Sequence, residues 1–434
     1  MLVKRLDPVD PLKIYSVLRD FDYPFILESA EKHEKKAKYT YLSANPSFVV
    51  EVGEQGTKVD GSRISKERNP FRALKDFIEI EEFGKRFVGG FVGYIAYDAV
   101  HYYIGGKIRE PSVFAYYENS FIFDNVKNEL YYVCACEDDL KEAEKTISKA
   151  KMIEMPKENG GSSVIRCDAD REEFVEIVFD AKEYIFNGDA FQIVLSREYE
   201  VETDISPFGI YLNLREINPS PYMFLLEFEK SLVGASPETM ASVEGRLLKV
   251  NPIAGTVRRG RNEKEDELLA KSMLSDEKEI AEHVMLVDLA RNDVRKVCKA
   301  GSVRVSKFME VVKYSHVQHI ESEVVGELED SKDVFDAVEA AFPAGTLTGA
   351  PKVRAMEIID ELEKSRRKVY GGCVGYFSVN GWSDMAIAIR MAEIDKNCRV
   401  RAGAGIVADS DPQKEFFETE RKMSAVLKAL GVRE

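Results

Sequence analysis

RVRAGAGIVADSD, Arg399 to Asp411, is the stretch whose reading decides the fold. Gly403, Gly405 and Ala408 follow a strand-like segment and fit G-x-G-x-x-A, the fingerprint that opens a dinucleotide-binding βαβ unit. Such a unit needs a further strand carrying a ribose-binding acid about 20 residues on. The chain ends 26 residues beyond Ala408, and most of that length, KEFFETERKMSAVLKAL, has the period of one amphipathic helix. The dinucleotide reading is therefore rejected, leaving a glycine-rich turn that would offer N–H groups to a small anion. Outward from this stretch, KYTYLSANPSFVVEV, SFIFDNVKNELYYVCA, AFQIVLSREYEV, YMFLLEFE, LLKVNPIAG, YGGCVGYFSV and DMAIAIRMAEI read as strands. Leu140 to Met155, the apolar series Phe174 to Ile185, and Glu263 to Val297 read as helices. Strands and helices come without strict alternation, which predicts an α+β fold.

The chain has 434 residues, 44% hydrophobic and 32% charged, enough for two domains or one large one. Pro156 to Ser163, PKENGGSS, has linker composition, so an N-terminal region 1–155 and a second region 164–430 are expected, intertwined in one unit. No window offers about 18 uncharged apolar residues, so no membrane span is expected. The start, MLVKRLDPVDPL, lacks the apolar core of a secretory signal. Six cysteines without Cys-x-x-Cys suit reduced thiols in a cytoplasmic protein. A net charge of −15 disfavours nucleic acid, whose phosphates need a basic surface. An anionic substrate would require cations concentrated locally.

Two Glu-x-x-Glu pairs, Glu279 with Glu282 and Glu415 with Glu418, each put two carboxylates on one helix face, with Lys422 one turn beyond the second. Two such helices facing each other would suit Mg2+, which takes one or two protein carboxylates plus substrate oxygens. NPIAGTVRRGR, Asn251 to Arg261, reads as a Pro/Gly loop in which Gly255 lets backbone approach a ligand, beside a solvated patch of Arg258, Arg259 and Arg261. In FPAGTLTGAPKVRAME, Pro351 suits a first helical turn whose N–H groups, with Thr346, Thr348 and Gly349 before it, would seat a carboxylate or phosphate. His319 shares a strand face with Val317, while His316 lies on the other. The echo of GGFVGY at Gly89 to Tyr94 and GGCVGY at Gly371 to Tyr376 signals close backbone approach rather than a duplicated domain.

Thirteen segments, in this order, resemble the chorismate-utilising enzymes, and most closely their ammonia-using, anthranilate-forming subunits: FILESAE, GGFVGYIAYD, FQIVLSR, NPSPYMF, GASPE, PIAGTVRRG, DEKEIAEHVMLVDLARND, HVQHIES, GTLTGAPKVRAME, YGGCVGYF, IAIR, GAGIVADSD and FETERK. The resemblance implies two packed, antiparallel-rich β-sheets flanked by helices. It implies that ammonia adds to chorismate, that hydroxide leaves, and that pyruvate is eliminated with Mg2+ bound. By family position Glu282 and Glu418 would hold the metal. Glu279 and Glu415 would move protons or ligate water. Arg390 and Tyr370 would grip a carboxylate, and Gly255, Thr256, Gly403, Ala404 and Gly405 would line the substrate with backbone donors. Thr346 and Lys422 would complete the polar lining, and His319 would serve pyruvate elimination.

Two positions choose among relatives. Water-adding members carry a lysine base where this chain has Gln192, and members making 4-amino-4-deoxychorismate usually carry a nucleophilic lysine where it has Ala254. Both favour ammonia as nucleophile and anthranilate as product. The alternatives are the first component of an aminodeoxychorismate synthase, and a non-catalytic tryptophan-binding protein on the same fold. Intact Glu282, Glu418, His319 and Arg390 argue against the latter. Glu28 and Ser29, with Pro221, Tyr222 and Met223, resemble a tryptophan feedback site remote from the chemistry. No glutaminase pattern is present, so ammonia would come from a separate glutaminase subunit or from free ammonium.

Overall fold

The computed structural model describes residues 2–30, 38–81, 84, 86–155, 158, 160–313 and 317–432. Pro156, Lys157 and Asn159 of the expected linker, and His316, lie outside these. Among the described residues, two 12-stranded sheets make the frame. Every pairing between the named strands is antiparallel, as the family resemblance leads one to expect. Phe25, Tyr41 and Phe224 of the first sheet pack against Tyr117, Val374 and Tyr376 of the second, so the sheets lie face to face. Helices cover the outer faces. Ile14, Tyr211, Met423 and Val426 close the first sheet, and Leu74, Val287, Val294 and Val338 the second. Among the described residues no helix is long and apolar enough to cross a membrane.

Each sheet draws on both ends of the chain. In the first, Phe25–Glu28 pairs with Tyr222–Glu227. In the second, Gly90–Ile95 pairs with Cys373–Ser378. The latter two strands carry the sequence echo, and its equivalent glycines, Gly93 and Gly375, stand opposite each other. A Cβ on either would lie 2.0 Å from a neighbouring strand's carbonyl, on Val113 or Asp384, so close approach is what the echo encodes.

Four sequence expectations are corrected. RAGAG is not a turn. Gly403, Ala404 and Gly405 lie within the strand Cys398–Ile406, paired with Ser196, Leu195 and Val194, and the helix starts only at Pro412, capped by Asp411. The glycines clear space above the strand instead: a Cβ on Gly405 would sit 2.5 Å from Gln192 Nε2. PIAGTVR is not a loop but the edge strand Ile253–Arg258, with Gly255 bulged at φ 64° between Ala254 and Thr256. Its arginines serve structure, since Arg258 and Arg259 bond Glu265 and Asp266 on the next helix. Pro351 caps the helix Lys352–Leu362 rather than entering it, and Gly349–Ala350 pairs as a short strand with Gln192 and Ile193. Finally, DMAIAIRMAEI is two strands in different sheets, Ser383–Ile387 in the second and Met391–Ile394 in the first.

Candidate active site

That last correction builds the site. The chain crosses between sheets at Ala388–Arg390, and it crosses in the other direction at Pro237–Glu238, between Ser231–Ser236 and Thr239–Glu244. The two crossings lie side by side. Ile387 N donates to Glu238 O at 3.0 Å, and Ala235 N donates to Arg390 O at 3.1 Å. Arg390 makes its turn at φ 52°, uncommon for a residue with a Cβ and held by the surrounding ladder.

The side chains at the crossings face each other's charge. Burial pulls Arg390 below the ordinary guanidinium range, while Tyr370, Glu238 and Glu418 oppose it. Burial raises the Glu238 carboxyl, against Lys422, Thr346 and Arg390. Thr346 Oγ1 donates to Glu238 Oε2 at 3.1 Å. Burial pushes the Tyr370 hydroxyl up to about 12, so it is a donor at neutral pH, and it lies 3.3 Å from where a Cβ on Gly403 would be. Arg390 Nη1 donates to Lys422 O at 2.5 Å, and Lys422 Nζ donates to Gly403 O at 3.0 Å. Gly403 can accept because Met391–Ile394 pairs with Cys398–Ile406 only as far as Val400, which leaves the next stretch of that edge without a strand neighbour among the described residues.

His319 approaches from the second sheet. Its partner across the ladder is Thr256, and its Nδ1 lies 2.8 Å from Gly255 O and 3.0 Å from Thr256 Oγ1. A carbonyl oxygen can only accept, so Nδ1 carries the proton and Nε2 the lone pair. Burial holds the imidazole below its usual pKa, with Arg390 adding to that effect and Gly255 O and Glu321 opposing it. His319 is therefore neutral at pH 7.

The glutamate pairs come from two helices. On Glu277–Arg295, Glu282 Oε1 accepts from Gln192 Nε2 at 3.0 Å above Gly405, and Glu279 Oε2 is 3.3 Å from a Cβ placed on Gly255. On Pro412–Ala429, Glu418 pairs with Lys422 at 3.5 Å and with Arg421 at 2.6 Å, and half-buried Glu415 sits one turn before it. Burial tends to raise the Glu418 carboxyl, but Lys422 and Arg421 outweigh it and hold it below its ordinary value. Among the described residues no three His, Cys, Asp or Glu groups form a ready-made metal cage. Two ionisable carboxylates of hard oxygen, with substrate oxygens still to come, nevertheless fit Mg2+ chemistry.

Sequence reading missed Glu238 and the scaffold beneath it. The signal for Glu238 was Pro237-Glu238 breaking two apolar runs at GASPE. The scaffold is Arg367, which donates to Leu347 O at 2.6 Å, to Val194 O at 2.8 Å and to Glu363 Oε1 at 2.7 Å. Glu363 also accepts from Ser196 N at 2.7 Å, so one buried ion pair ties GTLTG to the Gln192–Thr203 strand.

Between the sheets lies a cavity of about 950 Å3 whose walls include Glu28, Ser29, Pro221, Tyr222 and Met223, all five of the expected inhibitor residues. Val374, Tyr376, Asp384 and Ala386, which the sequence did not single out, join them. The Glu28 carboxylate is already engaged by Arg215 Nε and Nη2, both at 2.8 Å, and by Tyr211 at 2.7 Å. Asp384 is different, since burial lifts its carboxyl to about 7 against the hydrogen bond from Tyr222. The cavity adjoins the crossing at Glu238 and the strand that carries His319. Tyr222 Oη is 2.7 Å from Thr239 Oγ1, next in sequence to Glu238, and wall residue Glu321 is two positions from His319.

Residues 23–428 match the model of the chorismate binding enzymes, and the chain belongs to that family. Among curated relatives, anthranilate synthase component 1 of Thermococcus kodakarensis is 66% identical over 435 residues, covering 100% of both chains. The protein of that name from Archaeoglobus fulgidus is 56% identical over 424 residues, covering 98% of both. The crystal structure of anthranilate synthase component I from Streptococcus pneumoniae superposes with a TM-score of 0.81 at 35% identity, over 91% of this chain and 93% of that one. MenF, the menaquinone-specific isochorismate synthase of Escherichia coli, shares the fold at 18% identity, with a TM-score of 0.76 over 100% of this chain and 94% of its own.

Proposed function

We propose that the chain is the aminating lyase of anthranilate synthesis, turning chorismate and ammonia into anthranilate and pyruvate for tryptophan biosynthesis. The observation that carries this is 66% identity along the whole of an anthranilate synthase component 1; Arg390 and Lys422, which meet through a hydrogen bond, would supply the cations that an anionic substrate needs. Arg390 and the Tyr370 hydroxyl would hold one substrate carboxylate, an arrangement of charge-assisted and neutral donors. Glu282 and Glu418 would hold Mg2+, which when bound supplies Lewis-acid polarisation of the other carboxylate. Ammonia adds to ring C2, both ring double bonds shift by one position and the C4 oxygen leaves, taking a proton from the added nitrogen to become water. Glu279 and Glu415, each one turn from a metal glutamate, are placed to move these protons. In the second stage C2 loses its hydrogen and the enolpyruvyl C–O bond breaks. His319 suits the base, because its Nε2 carries the lone pair and the ring is neutral at pH 7. The ammonia would be delivered by a separate glutaminase component, as the component 1 names of the relatives imply.

Purified chain with chorismate, Mg2+ and ammonium at alkaline pH should yield equal amounts of anthranilate and pyruvate, read by fluorescence and a coupled pyruvate assay. 4-Amino-4-deoxychorismate as product would overturn the reading in favour of the folate-branch relative, against which Ala254, with no side-chain amine beside the Gly255 bulge, argues. In the same assay His319→Met should let the aminated, pyruvate-bearing ring accumulate. Equal loss of both stages would remove His319 from the elimination.

The inter-sheet cavity we assign to tryptophan feedback. Its support is that all five expected residues share one wall, and that Asp384, with a carboxyl near 7, offers a partner for a ligand ammonium. Ser29→Phe, which fills part of the cavity, should raise the tryptophan concentration for half-inhibition at least about tenfold. An unchanged value would place the inhibitor elsewhere.

A further inference from the structure

We propose that the side-chain carbonyl of Gln192 seats the ammonia nucleophile by accepting one of its N–H bonds. This rests on the aminase reading above. Gln192 is only 3% exposed, and its backbone is pinned on both sides: Gln192 pairs with Ala350, while Ile193 pairs with Gly349 and Ile406. Its amide orientation is fixed by chemistry, because the 3.0 Å contact with Glu282 Oε1 can only be an N–H donated to a carboxylate. The amide oxygen is therefore the free end. It is buried and has no hydrogen-bond partner among the described residues. Buried acceptors are nearly always satisfied, and one left open inside an active site calls for a ligand. Gly405 leaves room for the amide, since a Cβ there would lie 2.5 Å from Nε2.

The ligand this oxygen suits is neutral ammonia. Ammonia has three N–H donors and one lone pair, so an acceptor behind it turns the lone pair towards the substrate. A carboxylate in that place would favour ammonium, which has no lone pair to attack with. The amide is uncharged and non-basic, so it orients without protonating. The nitrogen lone pair forms the C2–N bond, and the C4–O bond breaks. One proton from the added nitrogen joins the departing hydroxide as water, and Gln192 neither gains nor loses a proton. The inference also gives a positive role to a residue otherwise known only by what it lacks, the amine of the water-adding relatives.

The test is steady-state kinetics on the full chain, with ammonium chloride varied at alkaline pH and chorismate and Mg2+ saturating. Gln192→Met keeps the volume and removes the acceptor. The KM for ammonia should rise at least about tenfold, equivalent to about 1.4 kcal/mol, with the KM for chorismate within about threefold of the parent. If Gln192→Met does not fold, Gln192→Asn, which retains a retracted acceptor, should show the same selective rise at smaller size. A rise in the Mg2+ requirement with the ammonia KM unchanged would overturn the proposal and leave Gln192 as a support for Glu282. No kinetic change would overturn it too. A parent chain that makes no anthranilate would instead sink the aminase reading beneath it.

Discussion

Glu418→Gln should lower turnover at saturating chorismate by at least about 100-fold, with the fold retained. The size follows from what the carboxylate does. In the proposed site it is one of two carboxylates that would hold Mg2+, and losing an outer-shell partner alone typically costs about 10–100-fold, a direct ligand more. The substitution also leaves Lys422 and Arg421 without their shared anion, close to Arg390. Lys422 then keeps Glu238 as a nearby anion, but the added positive charge would oppose Mg2+ binding at the proposed site. Because Lys422 and Arg421 hold Glu418 below the ordinary carboxylate range, it is ionised throughout the neutral and alkaline range. Its share of Mg2+ affinity should thus stay constant from pH 6 to 9. The check is a Mg2+ titration of activity for parent and variant, beside circular dichroism. Equal rates and equal Mg2+ dependence would remove the metal assignment.

Arg367→Leu carries the largest expected loss of stability, about 3–5 kcal/mol, the usual consequence of deleting one partner of a buried ion pair. The side chains of Arg367 and Glu363 are 1% and 4% exposed. Without the guanidinium, Glu363 keeps Ser196 and a more distant Arg401 at 3.6 Å, but Leu347 O and Val194 O lose their donors. Chemical denaturation measures the loss. Because the deficit lies chiefly in the stranded carboxylate, adding Glu363→Leu should recover part of it. A single-variant loss under about 1 kcal/mol would show that water reaches the pair and shields it.

The sequence reading succeeded where information is local. Alternation and aromatic content marked AFQIVLSREYEV and YMFLLEFE as strands, and the period of KEFFETERKMSAVLKAL marked the closing helix. Motif order supplies Glu282, Glu418, His319 and Arg390 as candidates by resemblance, and the substitutions proposed above test Glu418 and His319 among them. Reading failed where the determinant is which sheet a strand joins. DMAIAIRMAEI has no glycine or proline at Ala388–Arg390, so nothing in it signals that the chain leaves one sheet for the other. Glu238 escaped for a related reason. Its role depends on lying beside Arg390, 152 positions away in sequence, and only the paired crossings bring that about. Gly403 and Gly405 were noticed, but for the wrong property. A glycine-rich turn would offer N–H groups to an anion, whereas these glycines lie in a strand where a Cβ would crowd Tyr370 and Gln192.

The interleaving of the sheets makes the protein indivisible. Phe25–Glu28 and Gly90–Ile95 are interior neighbours of Tyr222–Glu227 and Cys373–Ser378, not a layer laid on top of them. A fragment starting at residue 164 would expose two apolar six-residue edges, templates for aggregation. The strand ending at Glu28 is thus part of the first sheet's interior rather than of a separable layer. The strands that would carry the proposed feedback cavity are hydrogen-bonded into the sheets that carry Arg390 and His319, so a substitution in one strand is felt in the other.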